Sequence, residues 1–534
     1  MSLSSLDLGV LVAYAIMLFA VAIYVSREKD GHSKNTEDYF LAGKSLPWWA
    51  IGASLIAANI SAEQIIGMSG EGYRIGLAIA AYEWQAAIVL IIVAKYFLPI
   101  FLKREIYTMP QFLDQRFGKG VKMTMSVYWI ALYTLVNLTV VLWLGGLAVE
   151  TLTGVNVVVA MIGLGAFAIA YSVFGGLKAV ALTDIIQVVI LIIGGLMIAY
   201  LTLSMIGGGS FFGGFERLHT ELPEKFNMIF EKGEKGYDAL PGIWTLLGGL
   251  WILHFSYWGF NQYIIQRALG AKNLKEAQKG LVFAAALKLI MPLIIVVPGI
   301  AAAMLVMPEF GALDASVLDA KTDRTYPSVM TLMPSGLRGL IFAALVAAIV
   351  SSLASMVNSI STIATMDIYK DSMAPNKSEK HYVMVGRVIA ALAMLIAVIA
   401  AKPFIGGFES GFQTVQEFTG FIAPGVVAVF LLGMFYKRAN GAGAATALIV
   451  SVALSIVFYV MLKSGALEIQ FVNRIWIVFL ASLVLGVVVS HLTAAPSQER
   501  LLAEGDVSFK TATSFNIWTV AIALILVALY VIYW

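Results

Sequence analysis

No cysteine occurs among the 534 residues, which excludes disulfides, thiolate nucleophiles and cysteine-held metal clusters. Charge is scarce too. Asp, Glu, Lys and Arg together make up 13% of the chain, about half the share a water-soluble fold uses to cover its surface. The formal net charge of +3 is too small to suggest a nucleic-acid partner. None of the five histidines stands in HExxH or similar metal spacing, and no GxSxG elbow or Walker-type loop occurs. Residues 1–7 hold no Lys or Arg, and no small-residue cleavage site follows the first apolar run. Residues 8–25 are therefore expected to be a retained helix and not a signal peptide.

What the chain has in excess is apolar length. It is 60% hydrophobic, with a mean hydropathy of +0.87, the composition of a protein dissolved in lipid bilayer. A spanning helix needs roughly 20 apolar residues, and windows of that length predict about fourteen spans. They fall at 7–26, 47–70, 76–101, 123–149, 155–174, 182–206, 241–264, 277–306, 337–368, 382–401, 410–436, 441–462, 473–493 and 513–533. The expected class is all-α integral membrane, a single domain over 1–534. It divides into an N-terminal helix (7–26), two five-helix halves (47–206 and 241–436) and three C-terminal helices (441–534).

Loop charge sets the orientation. With the N-terminus outward, the inner loops carry Arg27, Lys29, Lys34, Arg116, Lys122, Lys178, Arg267 and others, about twice the number on the other side, as the positive-inside rule requires. Both termini are then expected outside. The long polar segments 207–240 and 307–336 lie on the outer face, with room for short helices but nothing resembling a catalytic domain.

Most spans are plain Leu/Ile/Val/Ala helices. The second is not: AANISAEQIIGMSG, from Ala57, puts amides, hydroxyls and glycines at mid-membrane. Polar backbone at that depth is tolerated only where it lines a cavity or is buried in protein. The seventh span is similar, with Gly248 and Gly249 before Trp251, His254, Ser256, Tyr257, Trp258 and Asn261. Each opens one of the two halves, and interrupted helices in corresponding positions point to a transporter's central site. Glycines that simply allow close helix packing are the plainer explanation, but they do not account for the neighbouring amides. In span nine, Ala348, Ser351 and Ser352 stand at i, i+3 and i+4 on one helical face. Back-bonding serines in a helix interface would look the same. Equally, these oxygens suit a small hard cation, above all if a broken turn at 57–60 frees carbonyls toward them.

Ionisable residues inside a bilayer default to functional hypotheses. Glu83 in span three and Lys288 in span eight either form a structural ion pair or meet the hydroxyls of a solute, with Gln64 and Gln416 completing a polar ring. Tyr257, Trp258 and Phe412 add aromatic surface for stacking or gating. Lys95, Glu150 and Arg387 sit near span ends, where long side chains snorkel.

These segments resemble the sodium/solute symporter family, which includes the sodium–glucose cotransporters. The carriers of the resemblance are GMFYKRANGAGA from Gly433, ANISAEQ from Ala58, YEW from Tyr82, YWGFNQYIIQR from Tyr257 and AAIVSSLASM from Ala347. They look most like the bacterial sodium/galactose branch of the family and cover nearly the whole chain. The resemblance implies a LeuT-type fold of two inverted five-helix repeats. It implies a co-transported sodium ion held by the backbone carbonyls of Ala57, Ile60 and Ala348 and the hydroxyls of Ser351 and Ser352, with Asp184 on the sodium exit path. Sugar hydroxyls would be met by Asn59, Gln64, Glu83, Lys288 and Gln416. Tyr257 would be the inner gate, with Met68, Tyr82 and Phe412 the outer lid. His254 departs from the pattern: that branch has an asparagine touching the sugar there. Histidine is bulkier and titrates near neutrality.

The expectation is a secondary active symporter, not an enzyme, that couples sodium entry to uptake of a neutral, galactose- or glucose-like monosaccharide by alternating access. It would sit in the bacterial inner membrane as a monomer or homodimer. Within the family, inositol, proline or sialic acid are alternative solutes, and a non-transporting sugar sensor or a sodium leak is the alternative from another class.

Overall fold

The structure is a computed structural model that describes residues 3–26, 41–407, 410–501 and 507–534, without the side chains of 19, 22, 23, 25, 26, 42 and 171–180. Arg27, Lys29, Lys34 and the side chain of Lys178, used above for orientation, lie outside what is described. Among the described residues all regular structure is helical, apart from one isolated parallel bridge between Leu46 and Ala271. Ten helical runs among the described residues are long and apolar enough to cross a membrane, and Ser5–Leu18 and Val157–Ala170 are shorter apolar helices. Sequence reading expected a loop between spans 155–174 and 182–206. The backbone instead stays helical from Val157 to Ile206, because the intervening stretch holds no proline to break it.

The two polar segments do hold short helices, Phe211–Glu221 and, in the second, Ala315–Ala320 and Thr325–Thr331. Both chain ends lie against them. Asp7, at the start of the first helix, accepts hydrogen bonds from the Gly336 and Gly339 amides at 2.7 and 2.8 Å and pairs with Arg338 at 3.0 Å. At the other end, the Met228 amide donates to the Tyr533 carbonyl at 2.8 Å. The two termini therefore share one face with both segments.

The second span is broken where its sequence loses helix formers. Trp48–Asn59 is regular helix, Ile60 turns to φ −75° and ψ 77°, a π-helical turn runs Glu63–Gly67, and helix resumes over Met68–Ile75. The Ile60 torsions are those of an inverse γ-turn. Accordingly the Ser61 amide donates to Asn59 O at 2.8 Å rather than to Ala57 O, its helical acceptor. The break expected over 57–60 thus falls at its end, with Ala57–Asn59 still helical. The seventh span is interrupted twice: at Gly248 (φ −104°, ψ −142°) and, between the π-helical Phe255–Phe260 and the helix Gln262–Leu269, at the extended Asn261. Seen from the Leu46–Ala271 bridge, both spans run regular helix, break, π-helix. Tyr133 repairs the second break. Its hydroxyl donates to Asn261 Oδ1 at 2.9 Å and accepts from the Gln262 amide at 3.0 Å, so the first amide past the break is not stranded in the membrane.

The plainer explanation of the glycines also holds. A Cβ on Gly70 would meet Thr322 O at 2.5 Å, one on Gly72 would meet Val296 O at 2.7 Å, and one on Gly299 would meet Ser69 O at 2.1 Å. These glycines let the Met68–Ile75 part of the second span lie backbone to backbone against the helix Leu274–Leu305 and the segment 307–336.

Candidate solute and ion site

Asn59, the last helical residue before the first break, faces the cavity between the two broken spans. The cavity measures about 50 Å³ and is lined by Asn59, Gln64, Tyr82, His254, Tyr257, Lys288 and Gln416, among others. Seven of the residues singled out from sequence therefore meet in one place. Glu83 lies behind them. It is fully buried, forms an ion pair with Lys288 at 2.7 Å and accepts a short hydrogen bond from the Gln64 amide. Lys288 also donates to Asn59 Oδ1 and stands 4.8 Å over the Trp258 ring, while Asn59 Nδ2 donates to the Tyr257 hydroxyl at 3.2 Å. The ion pair considered from sequence is therefore real, and the same groups are the polar ring.

A hexose is several times the size of a water, whose share of liquid volume is about 30 Å³. The cavity as it stands is therefore too small for one. In this arrangement Glu83 fixes Gln64 and Lys288, two of the side chains that reach the cavity.

Above the cavity, Tyr82 and Phe412 pack edge to face with ring centroids 5.0 Å apart. Phe412 is pressed so closely on Gly67 that a Cβ there would come within 2.5 Å. Met68 is fully buried beside them. Tyr257 packs on Trp258 and Tyr263 at 5.1 and 5.8 Å. The histidine that departs from the family pattern packs on Tyr82 at 6.1 Å and bonds the Ala81 backbone, and its Nε2 has no partner in the protein. It is a buried polar atom without a partner among the described residues, on a side chain that lines the cavity.

The serine pair of span nine lies within the helix Leu337–Thr362. Ser352 Oγ stands 3.4 Å from Ala58 O, at the broken turn, and Ala348 is buried one helical turn before it. Ser351 donates to Asp184 Oδ1, and Asp184 Oδ2 accepts from Ser54 Oγ at 2.5 Å. Asp184 is thus a direct neighbour of the serine pair.

Arg267, counted in the loop-charge reading, is 1% exposed and lies 3.5 Å from Asp184. Arg116 and Lys122, counted with it, are buried as well. Arg116 donates to the carbonyls of Gly433, Tyr436 and Lys437 at 3.0–3.2 Å, and Lys122 pairs with Asp371 at 3.2 Å. Of the span-end residues, Glu150 is tied to Arg324 at 3.4 Å, and Lys95 lies over Tyr96 at 5.3 Å.

Sequence reasoning assigned no role to Glu63 or Asn137, which also line the cavity. The signal was present: Asn137 is an amide at mid-span and Glu63 a third carboxylate at depth. Neither could be placed without knowing which helix faces met.

A cavity enclosed by two broken helices, with an oxygen cluster at one break, defines a membrane transporter of the LeuT-type fold. The substrate-bound outward-open state of a Na⁺-coupled sialic acid symporter superposes with a TM-score of 0.80 over 93% of this chain and 99% of that one, at 23% identity, which shows the shared fold. A model of the Sodium:solute symporter family matches residues 39–451. The chain belongs to that family. The sodium/glucose cotransporter of Vibrio parahaemolyticus is 48% identical over 100% of this chain and 99% of its own length. Sodium/myo-inositol cotransporter 2 of Homo sapiens is 33% identical over 85% of this chain and 70% of its own, and sodium/glucose cotransporter 4 of Danio rerio 34% over 86% and 72%.

Proposed function

We propose that the protein is a sodium-driven symporter that brings a neutral monosaccharide across the bacterial inner membrane, both termini facing outside. One observation carries the reading. At the broken turn Asn59 lines the cavity while the carbonyl of its neighbour Ala58 lies 3.4 Å from Ser352 Oγ. An ion bound among the 57–60 carbonyls and the serine hydroxyls stiffens that turn. It thereby holds Asn59 and, through it, Lys288 in position for the solute. Each ligand favours the arrangement that the other needs, which is the thermodynamic content of coupling. Ala57, Ile60, Ala348, Ser351 and Ser352 hold the ion; Asn59, Gln64, His254, Lys288 and Gln416 meet sugar hydroxyls, supported by Glu83. Tyr257 closes the inner side, and Tyr82, Phe412 and Met68 the outer. Asp184 steadies Ser351 and stands where a departing ion passes.

The charge balance of the cavity favours a neutral solute. Lys288 is matched by Glu83, so a carboxylate-bearing solute finds no surplus cation, and Arg267 is committed to Asp184 on the ion side. Moving one charge through ~100 mV supplies roughly 2.3 kcal/mol, enough for about fifty-fold accumulation.

The test is uptake of radiolabelled hexoses into sealed proteoliposomes under an inward sodium gradient, with unlabelled hexoses, inositol, proline and sialic acid as competitors. Uptake that needs sodium and is blocked by glucose or galactose supports the proposal; uptake blocked only by one of the other solutes reassigns the substrate, and sodium flux without uptake points to a leak.

A further inference from the structure

Asp184 sits in a cage of the kind that holds a cation. Its two carboxylate oxygens, Ser54 Oγ and Ser351 Oγ converge in a wholly buried space, the hard-oxygen donor set suited to sodium. The position that a cation would fill is taken by part of the chain. Arg267 Nη2 lies 3.5 Å from Asp184 Oδ2 and donates to Ser355 Oγ at 2.5 Å, while Nε donates to Ser54 O at 3.0 Å and Ser54 Oγ at 2.8 Å. Ser355 in turn donates to Ser351 O at 2.7 Å.

A guanidinium does not deprotonate inside a protein. It cannot leave either, being fixed to the helix Gln262–Leu269. The buried carboxylate therefore has a permanent resident counter-ion next to the site proposed for the transported one.

We infer that Arg267 acts as a tethered cation that fills a second ion position and thereby sets the coupling at one sodium per sugar. This deepens the sodium-coupled reading above and rests on it. The physical content is a competition. With Arg267 in place, Asp184 is neutralised and the mobile ion sees only uncharged oxygens at Ser352 and the broken turn. Without the guanidinium, a buried carboxylate with two hydroxyls is left uncompensated, a situation relieved by taking up a mobile cation. That ion would be carried across with the first, and each added sodium multiplies the limiting sugar gradient by roughly fifty at ~100 mV.

The measurement is the ratio of radiolabelled sodium to radiolabelled sugar entering proteoliposomes, together with the sodium dependence of the initial rate. Wild type should give a ratio of one with hyperbolic sodium dependence. Arg267→Gln should give a ratio of two with sigmoidal dependence, and Arg267→Lys, which keeps a tethered charge, a ratio of one. A ratio of two in wild type overturns the inference whatever the variants do, as does folded Arg267→Gln that still carries one. Should Arg267→Gln not fold, Arg267→Lys decides, and a ratio of two in that variant overturns the inference. If wild type shows no sodium-driven uptake at all, it is the functional reading that fails.

Discussion

Replacing Glu83 by alanine strands a charge in the middle of the membrane. Lys288 then loses its 2.7 Å partner and keeps only the Asn59 carbonyl and the Trp258 face at 4.8 Å. Breaking one side of a buried pair costs about 3–5 kcal/mol, and the Trp258 contact, present before and after the change, does not offset it, so a loss of that order is expected. Thermal unfolding of purified protein, followed by intrinsic tryptophan fluorescence, should show a clearly lowered midpoint. Lys288→Met alone should be comparably destabilised. The double variant should regain most of the loss, because no lone charge remains, while sodium-driven uptake is abolished in all three. The signature is thus stability restored without function. A Glu83→Ala protein that melts like wild type, or a double variant worse than either single one, would refute the argument that this pair is energetically coupled.

Four further outcomes are expected. Ser352→Ala should raise the sodium concentration for half-maximal uptake by about tenfold, the loss of one ion contact of roughly 1.4 kcal/mol, with sugar affinity at saturating sodium nearly unchanged; an unaltered sodium dependence removes Ser352 from the ion site. His254→Asn should shift the hexose competition profile toward galactose, and an identical profile would show that the unpartnered Nε2 meets no solute. Gly299→Val should lower thermal stability by at least 1–3 kcal/mol, since a Cβ there meets Ser69 O at 2.1 Å; a wild-type melting profile would contradict that packing. Asp323, in the outer loop, accepts from the Gly411 amide at 3.0 Å, and burial pushes its carboxyl up to about 7, opposed by that bond and by Lys321. Because the folded value lies above the unfolded one, its contribution to stability is full below about pH 4 and is lost as pH rises through about 7. Melting temperature should therefore fall across that window, and Asp323→Asn should flatten the slope; an unchanged slope would clear this residue.

The second and seventh spans were legible because each strings amides and glycines through a stretch that lipid would otherwise make uniformly apolar. Their exact breaks were not. The break at Ile60 depends on an inverse γ-turn that branched Ile does not announce, and the one at Asn261 depends on Tyr133, 128 positions away, to satisfy it. Glu83 and Lys288 were legible as costly charges, and their pairing was one of two readings that only the packing could join. The pairing of Arg267 was not legible, because nothing local shows that Asp184, 83 positions away, lies beside it. The family segment 433–444 has a structural explanation. Arg116 binds its carbonyls, Asn440 caps the helix Gly441–Lys463 through the Gly443 amide at 3.0 Å, and Gly443 admits Ser490, whose Oγ a Cβ would meet at 2.0 Å.

The bridge between Leu46 and Ala271 has a mechanical consequence. Leu46 donates to Gly270 O at 3.1 Å and accepts from the Lys272 amide at 3.2 Å, so the start of one half-helix is laced to the end of the other. Arg267 laces them again through Ser54, two turns further in. Trp48–Asn59 and Gln262–Leu269 thus form a two-point truss, and a motion that swings one must carry its mate. The inner door of this carrier would then turn as a single leaf, hinged at Ile60 and Asn261.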